Sequence, residues 1–257
     1  MKEILAIIPS RYASTRLPGK PLALVGGIPM VVRTLRRAAK VFSDVCVATD
    51  DERIKETVEK WGGVAVMTSA SHPSGTDRCL EAMKKYSAQT GRRFDVVVNV
   101  QGDEPFISTN QLEKLAKCFE DESVCLATIV KRATSVSELE DPNRPKVVID
   151  KDNNALYFSR SRIPYDRSGK ITDEDLEKSP YYLHVGLYGY RSRTLEKICS
   201  MKESSLEKTE KLEQLRWLEN GLKIRVAESN DKSYGVDTPE DLERLNRMIE
   251  SGELKTD

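Results

Sequence analysis

From residue 10 to residue 20 the chain reads Ser10-Arg11-Tyr12-Ala13-Ser14-Thr15-Arg16-Leu17-Pro18-Gly19-Lys20, which holds three cations, Arg11, Arg16 and Lys20, and no acid. The apolar run Ile4 to Ile8 just before it has the composition of a buried strand, so these cations fall on the loop beyond a strand's C-terminal end. Guanidinium forks, an ammonium and free backbone N–H groups are the groups that hold a polyphosphate. A solvated surface loop can have the same composition, and it is the place at a strand end that favours anion binding. Two familiar phosphate-binding patterns do not fit. The Walker loop needs Gly where Ser14 stands and Ser or Thr where Pro21 stands, and no G-x-G-x-x-G occurs.

A second group of candidates is acidic. Phe94-Asp95-Val96-Val97-Val98-Asn99-Val100 reads as a parallel strand buried on both faces, so Gln101, Gly102 and Asp103 emerge at the same sheet edge as the cationic loop. A carboxylate facing phosphates repels them unless a divalent cation lies between, and Mg²⁺ characteristically binds one or two carboxylates together with phosphate oxygens. The alternative for Asp103 is a turn residue ahead of Pro105. Asp237 is the second candidate. Thr238 before Pro239, with Asp241 three residues on, already makes an N-cap and a capping-box partner, which leaves Asp237 free for another task.

The elements that must carry these residues follow from periodicity. Helices are expected from about Pro29, around Arg53 to Trp61 and from about Thr76 to Tyr86, with strands around Val45 to Thr49 and Val64 to Met67. This alternation implies an α/β fold with a doubly wound, mostly parallel sheet. Further on, Val147-Val148-Ile149 and Ala155-Leu156-Tyr157-Phe158 flank an Asp-Lys-Asp-Asn-Asn turn, the pattern of a hairpin. A charged excursion from Ile163 to Pro180 suits a subunit contact, and one helix is expected from about Leu206 to Asn220, with Leu212, Leu215 and Leu218 on one stripe. A strand over Lys223 to Ala227 and a final helix from Pro239 complete the reading.

The 257 residues suit one large domain. Forty-one basic and forty-one acidic side chains cancel, which argues against a nucleic-acid or anionic-membrane partner and confines any phosphate site to local charge. No apolar run reaches the ~20 residues of a membrane span, no signal core precedes the first strand, and the five cysteines, without a C-x-x-C pair, read as buried thiols in a reducing compartment. These features point to the cytoplasm.

Ile8-Pro9 and the cationic loop through Leu22 resemble the opening of CMP-Kdo synthetases, the 3-deoxy-manno-octulosonate cytidylyltransferases. Further matching segments are Ala48-Thr49-Asp50, Ser74-Gly75-Thr76-Asp77-Arg78, Asn99 to Pro105, Tyr157-Phe158-Ser159-Arg160, His184 to Arg191, Leu212 to Arg216 and Gly235 to Leu242, so the resemblance spans nearly the whole chain. Ser10 and Ser69 stand where the family pattern often has Ala and Arg. The resemblance implies a nucleotidyltransferase of GT-A-like, Rossmann-type architecture with a smaller antiparallel dimerisation and sugar-binding subregion. Residues 1–257 would form a single domain, with 1–130 and 221–257 as nucleotide-binding sheet and 131–220 as the excursion. It implies transfer of CMP from CTP to Kdo with release of pyrophosphate, for lipopolysaccharide synthesis, in a homodimer joined through 145–195. Mg²⁺ would rest on Asp103 and Asp237, with Lys20 as a third catalytic group. Arg11, Ala13, Ser14, Arg16, Lys20 and Gln101 would hold the nucleotide, and Arg160, His184, Tyr188, Glu213 and Gln214 the sugar. Taken alone, His184 fits a buried core imidazole, Tyr188 a cross-strand core residue, and Glu213 a surface pair with Arg216. A cytidylyltransferase for amino-Kdo or a nine-carbon sialic acid is the nearest alternative.

Overall fold

The computed structural model describes residues 2–256 apart from 14, 15, 170 and 233, so Ser14 lies outside the described residues. The fold is mixed α/β with a mostly parallel central sheet, and the chain divides into two compact units, Met1–Leu112 with Lys232–Asp257, and Glu113–Asp231. The strands at Leu126–Arg132 and Arg225–Glu228 fall in the second unit.

In the first unit β1 (Ile4–Ser10) leads through a 3-10 turn at Lys20–Leu22 into the short pair β2 (Leu24–Val25) and β3 (Ile28–Pro29). Then follow α1 (Met30–Ala39), β4 (Asp44–Thr49), α2 (Glu52–Lys60), β5 (Ala65–Met67), α3 (Gly75–Thr90), β6 (Val96–Asn99) and α4 (Thr109–Lys117), within which the first unit ends. β1 lies between β4 and β6 and β5 flanks β4, every pairing parallel, with Ile7 opposite both Cys46 and Asn99. All four residues of β6 are buried, as its β-branched composition requires. Side chains of the sequence fix the helix starts: Asp51 accepts from Arg53 N at 3.0 Å and Ser74 from Asp77 N at 3.1 Å.

The second unit contains β7 (Leu126–Arg132), α5 (Val136–Glu140), the antiparallel hairpin β8 (Lys146–Ile149) and β9 (Ala155–Ser159), and β10 (Tyr182–Arg191). β10 runs antiparallel to β7 and β8, and Asn153 turns the hairpin with φ 58°. α6 (Ser192–Cys199), α7 (Ser205–Glu210), α8 (Gln214–Glu219) and β11 (Arg225–Glu228), parallel to β7, close this unit. The chain then returns to the first unit as α9 (Pro239–Glu250), capped by Thr238 and Asp241 as its sequence required.

Two expectations need correction. The single helix over Leu206 to Asn220 is two helices, because Lys211 adopts a left-handed conformation at φ 53° and ends α7. The leucine stripe survives the break in part, with Leu212 and Leu215 buried and Leu218 half-buried, since a short helix on each side of a turn can still present one apolar side. Among the cysteines, Cys46 and Cys79 are buried, but Cys118 and Cys199 are half-buried and Cys125 is exposed, because it directly precedes β7 rather than lying within it.

Gly189 in β10 is where packing leaves no room for a side chain: a Cβ there would lie 2.5 Å from Cε2 of the fully buried Phe119 ring. Replacing Gly189 with Ala should cost about 1–3 kcal/mol through forced displacement of that ring, read as a lowered urea midpoint at unchanged slope. An unaltered midpoint would refute this tight packing.

Candidate active site

The end of β1 and the loop beyond it are pinned on several sides. Gly19 takes φ 68° at the start of the 3-10 turn, where a Cβ would press on the Tyr12 ring at 3.2–3.3 Å, and its N–H donates to Tyr12 O at 3.3 Å. The Tyr12 ring in turn lies 3.4 Å under the Arg53 guanidinium, which is itself held by Asp51. Arg11 donates to the carbonyl oxygen of His72, whose ring meets Glu81. Partial burial opposes ionisation of Glu81, yet the Lys85 ammonium, the Ser69 N–H and His72 outweigh it and hold its pKa down to about 2. Neither His72 nor Glu81 was singled out from sequence, since their link to Arg11 runs through a backbone carbonyl that side-chain patterns do not reveal. Ser69 joins the same network through its backbone.

Asp103 and Asp237 come together on one cation. Lys20 Nζ lies 2.7 Å from Asp103 Oδ2 and 3.1 Å from Asp237 Oδ1, so these two carboxylate oxygens are within about 6 Å of each other. Arg16 Nη2 reaches the same Asp237 oxygen at 3.1 Å. Burial works against charge on Lys20, but the carboxylates of Asp103 and Asp237 prevail and leave its pKa above the ordinary lysine value. Two contacts bring the distant acids to this point. Val236 N donates to Asp103 O at 3.0 Å, and an apolar cluster of Val25, Met30, Phe106, Val236 and Leu245 packs α9 against β2 and α1. The carboxylate of Asp241 accepts from the N–H groups of Asp237 and Thr238, both at 3.1 Å, so the Asp237 side chain is left to the cations.

These groups surround a cavity of about 330 Å³ lined by Pro9, Ser10, Arg11, Ala13, Arg16, Lys20, Pro21, Gln101, Gly102 and Asp103. Of the sequence-predicted nucleotide residues, Arg11, Ala13, Arg16, Lys20 and Gln101 therefore share one wall-to-wall site, and Asp237 joins it through Lys20 and Arg16. Gly102 is required at its place, because a Cβ would lie 2.9 Å from both Pro9 O and Ser10 Oγ. The donor set suits Mg²⁺, which prefers hard carboxylate oxygens and completes its shell with phosphate and water. Among the described residues no cluster of three or more His, Cys, Asp or Glu side chains could hold a metal by itself, so an ion here would share its coordination with a ligand.

Beside this site two motifs meet in a buried ion pair. Arg78, fully buried, donates to Asp50 Oδ2 at 3.0 Å and to Thr68 Oγ1 at 2.6 Å, tying α3 to the ends of β4 and β5. Both segments had been matched to the family, but their conjunction was not expected.

The second unit contains all five sugar candidates. His184 contacts Thr128 Oγ1 at 3.0 Å, with the Phe158 and Tyr188 rings 5.2 and 5.1 Å away, and burial pushes its pKa down to about 3. Tyr188 packs edge-on against Trp217 at 5.1 Å. β10 is irregular between His184 and Tyr188, where Gly186 takes φ 77°. Gln214 is buried at the start of α8, beside Glu213 at its N-cap. Arg160 is differently employed: its guanidinium donates to the carbonyls of Glu210 at 2.7 Å, Pro142 at 2.9 Å and Lys211 at 3.2 Å. It thereby fastens the turn that leads to Glu213. Arg216 forks onto Glu207, at 2.7 and 2.6 Å, a partner nine residues away.

The profile of the cytidylyltransferase family matches residues 5–224. A 3-deoxy-manno-octulosonate cytidylyltransferase of Parabacteroides distasonis is 50% identical over 248 residues, covering 95% of this chain and 97% of that protein. One of Bacteroides thetaiotaomicron is also 50% identical, over 97% of this chain and 99% of its own length. The solved structure of CMP:2-keto-3-deoxy-manno-octonic acid synthetase in complex with CTP superposes with a TM-score of 0.88 at 40% identity, covering 98% of this chain and all of that one. With a cationic cavity ahead of two converging aspartates and these relatives along its full length, the chain belongs to the cytidylyltransferase family.

Proposed function

We propose that this protein transfers CMP from CTP to 3-deoxy-manno-octulosonate, giving CMP-Kdo and pyrophosphate. The observation that carries the reading is the sharing of the Lys20 ammonium between Asp103 and Asp237 inside a cavity rimmed by Arg11 and Arg16. Without nucleotide, Lys20 and Arg16 neutralise the two acids. A triphosphate competes for those cations, and the acids released from them then need another positive charge. Asp103 and Asp237 would hold Mg²⁺, which supplies Lewis acidity toward the phosphates and the incoming hydroxyl. Lys20 and Arg16 receive charge on the departing pyrophosphate, with Arg11 held in place by His72. Ala13, Ser14 and Gln101 are assigned to the nucleotide.

On the sugar side His184, Tyr188, Glu213 and Gln214 are assigned to hydroxyl and carboxylate contacts, and Arg160 enters as the residue that holds the turn before Glu213. Because burial keeps His184 neutral, it serves as a hydrogen-bonding group, and the reaction as proposed requires no histidine base. A homodimer joined through 145–195, where Leu156 and Tyr165 are exposed to 60% and 82%, and a cytoplasmic location complete the proposal. Among the described residues no helix is long and apolar enough to cross a membrane.

Asp103→Asn and Asp237→Asn should each lower pyrophosphate release from CTP and Kdo by at least about 10²-fold with little change in thermal midpoint, and EDTA should have the same effect on the unmodified protein. Near-normal turnover in either variant, or equal use of ATP, GTP or UTP, would exclude the assignment.

His184 gives a pH prediction. Its pKa falls from 6.5 in the unfolded chain to about 3 in the folded one, so between those values the unfolded state binds the extra proton and stability is lost as the pH drops below about 6.5. The thermal midpoint of His184→Gln should therefore decline less steeply from pH 7 to about pH 5 than that of the unmodified protein. Parallel slopes would show that the imidazole is not held neutral.

A further inference from the structure

Ser10 ends β1 and is 3% exposed, yet among the described residues its hydroxyl has no hydrogen-bond partner. A buried hydroxyl without a partner is costly, and such groups are rare unless a ligand supplies the missing bond. Two features show where that bond would go. Ser10 lines the cavity together with Gln101, Gly102 and Lys20, so the residue that carries the hydroxyl stands in the wall of a space large enough for part of a nucleotide. At Gly102 a Cβ would lie 2.9 Å from Ser10 Oγ, so any side chain at 102 would crowd the hydroxyl, and the glycine spares it that neighbour.

We infer that the Ser10 hydroxyl is a nucleotide contact, donating a hydrogen bond to an acceptor atom of the bound cytidine nucleotide. The inference rests on the proposed use of CTP. It adds a buried neutral donor to the cations Arg11, Arg16 and Lys20, and a neutral bond is short-ranged, directional and weakly affected by salt, unlike the attraction of the cations.

Ser10→Ala separates this role from a structural one, because the two predict opposite signs. Removing an unsatisfied buried hydroxyl should leave the thermal midpoint of the free protein unchanged or raised, while calorimetric titration with CTP and Mg²⁺, without sugar acid, should show affinity weakened by about threefold to tenfold. Ser10→Cys, close in volume but a poor donor, should weaken CTP in the same way. If both variants bind CTP as the unmodified protein does, or if Ser10→Ala lowers the midpoint without affecting CTP, the inference fails and CTP use stands. If the unmodified protein itself does not bind CTP, the functional reading fails and this inference with it.

Discussion

One ammonium held between two carboxylates sets the terms for the first unit. Lys20 reaches an acid 83 residues away and another 217 residues away, and nothing local brings these three groups together. Without a cation between them, two carboxylates this close repel, so the free protein needs Lys20 where it is. The same arrangement is poised for exchange. Asp237 is half exposed and Arg16 more so, and pairs of that kind are weakly held, so a polyphosphate can draw the cations away at small cost. Lys20 differs, being largely covered, and its raised pKa keeps it charged through the neutral range.

The scaffold serves that arrangement by division of labour. β1 and β6 are parallel neighbours, so the chain leaves both at one edge, with the loop of Lys20 after the first and Asp103 after the second. Asp237 arrives from the far end of the sequence, and its approach depends on apolar burial together with one backbone bond from Val236 to Asp103. Because Thr238 and Asp241 cap α9 between themselves, the start of that helix consumes neither carboxylate oxygen of Asp237. A cap made one residue earlier would have spent the group that the site requires.

Much of this was legible in the sequence, for identifiable reasons. The β-branched run before Asn99, the cap at Thr238 and the strand before Ser10 are local signals, and a local signal fixes an element wherever the rest of the chain lies. The cations of the loop and Asp103 were likewise visible as residue types beyond strand ends, and Asp237 as the acid left free ahead of the cap of α9. What was not legible depends on distant partners or on a single backbone angle. Lys211 looks like an ordinary helix residue, yet its left-handed conformation splits a helix that its leucines describe as continuous. Arg160 reads as a free guanidinium and is spent on three carbonyl groups. The Arg78–Asp50 pair and the path from Glu81 through His72 to Arg11 join segments whose spacing encodes nothing about one another.

Unsatisfied polar groups give a second, independent view of the same residues. Ser10 Oγ in the first unit, and Tyr188 Oη, Gln214 Nε2 and Trp217 Nε1 in the second, are buried without hydrogen-bond partners among the described residues. Each such group costs about 1–3 kcal/mol relative to a satisfied one, a large sum for a fold whose net stability is about 5–15 kcal/mol. Apolar side chains of similar shape would remove that cost, so structural need does not account for keeping the polar ones. Of these four, Ser10 lines the cationic cavity, and the others lie in α8 and at Tyr188, among the residues assigned to the sugar; Arg78 Nε, Asn99 Oδ1 and Gln111 Nε2 of the first unit are buried in the same way. A polyhydroxylated acid offers many donors and acceptors to such a set, whereas a triphosphate chiefly demands charge. A cation-rich cavity in the first unit and an aromatic cluster with buried neutral groups in the second differ in the way that a triphosphate and a polyhydroxylated acid differ.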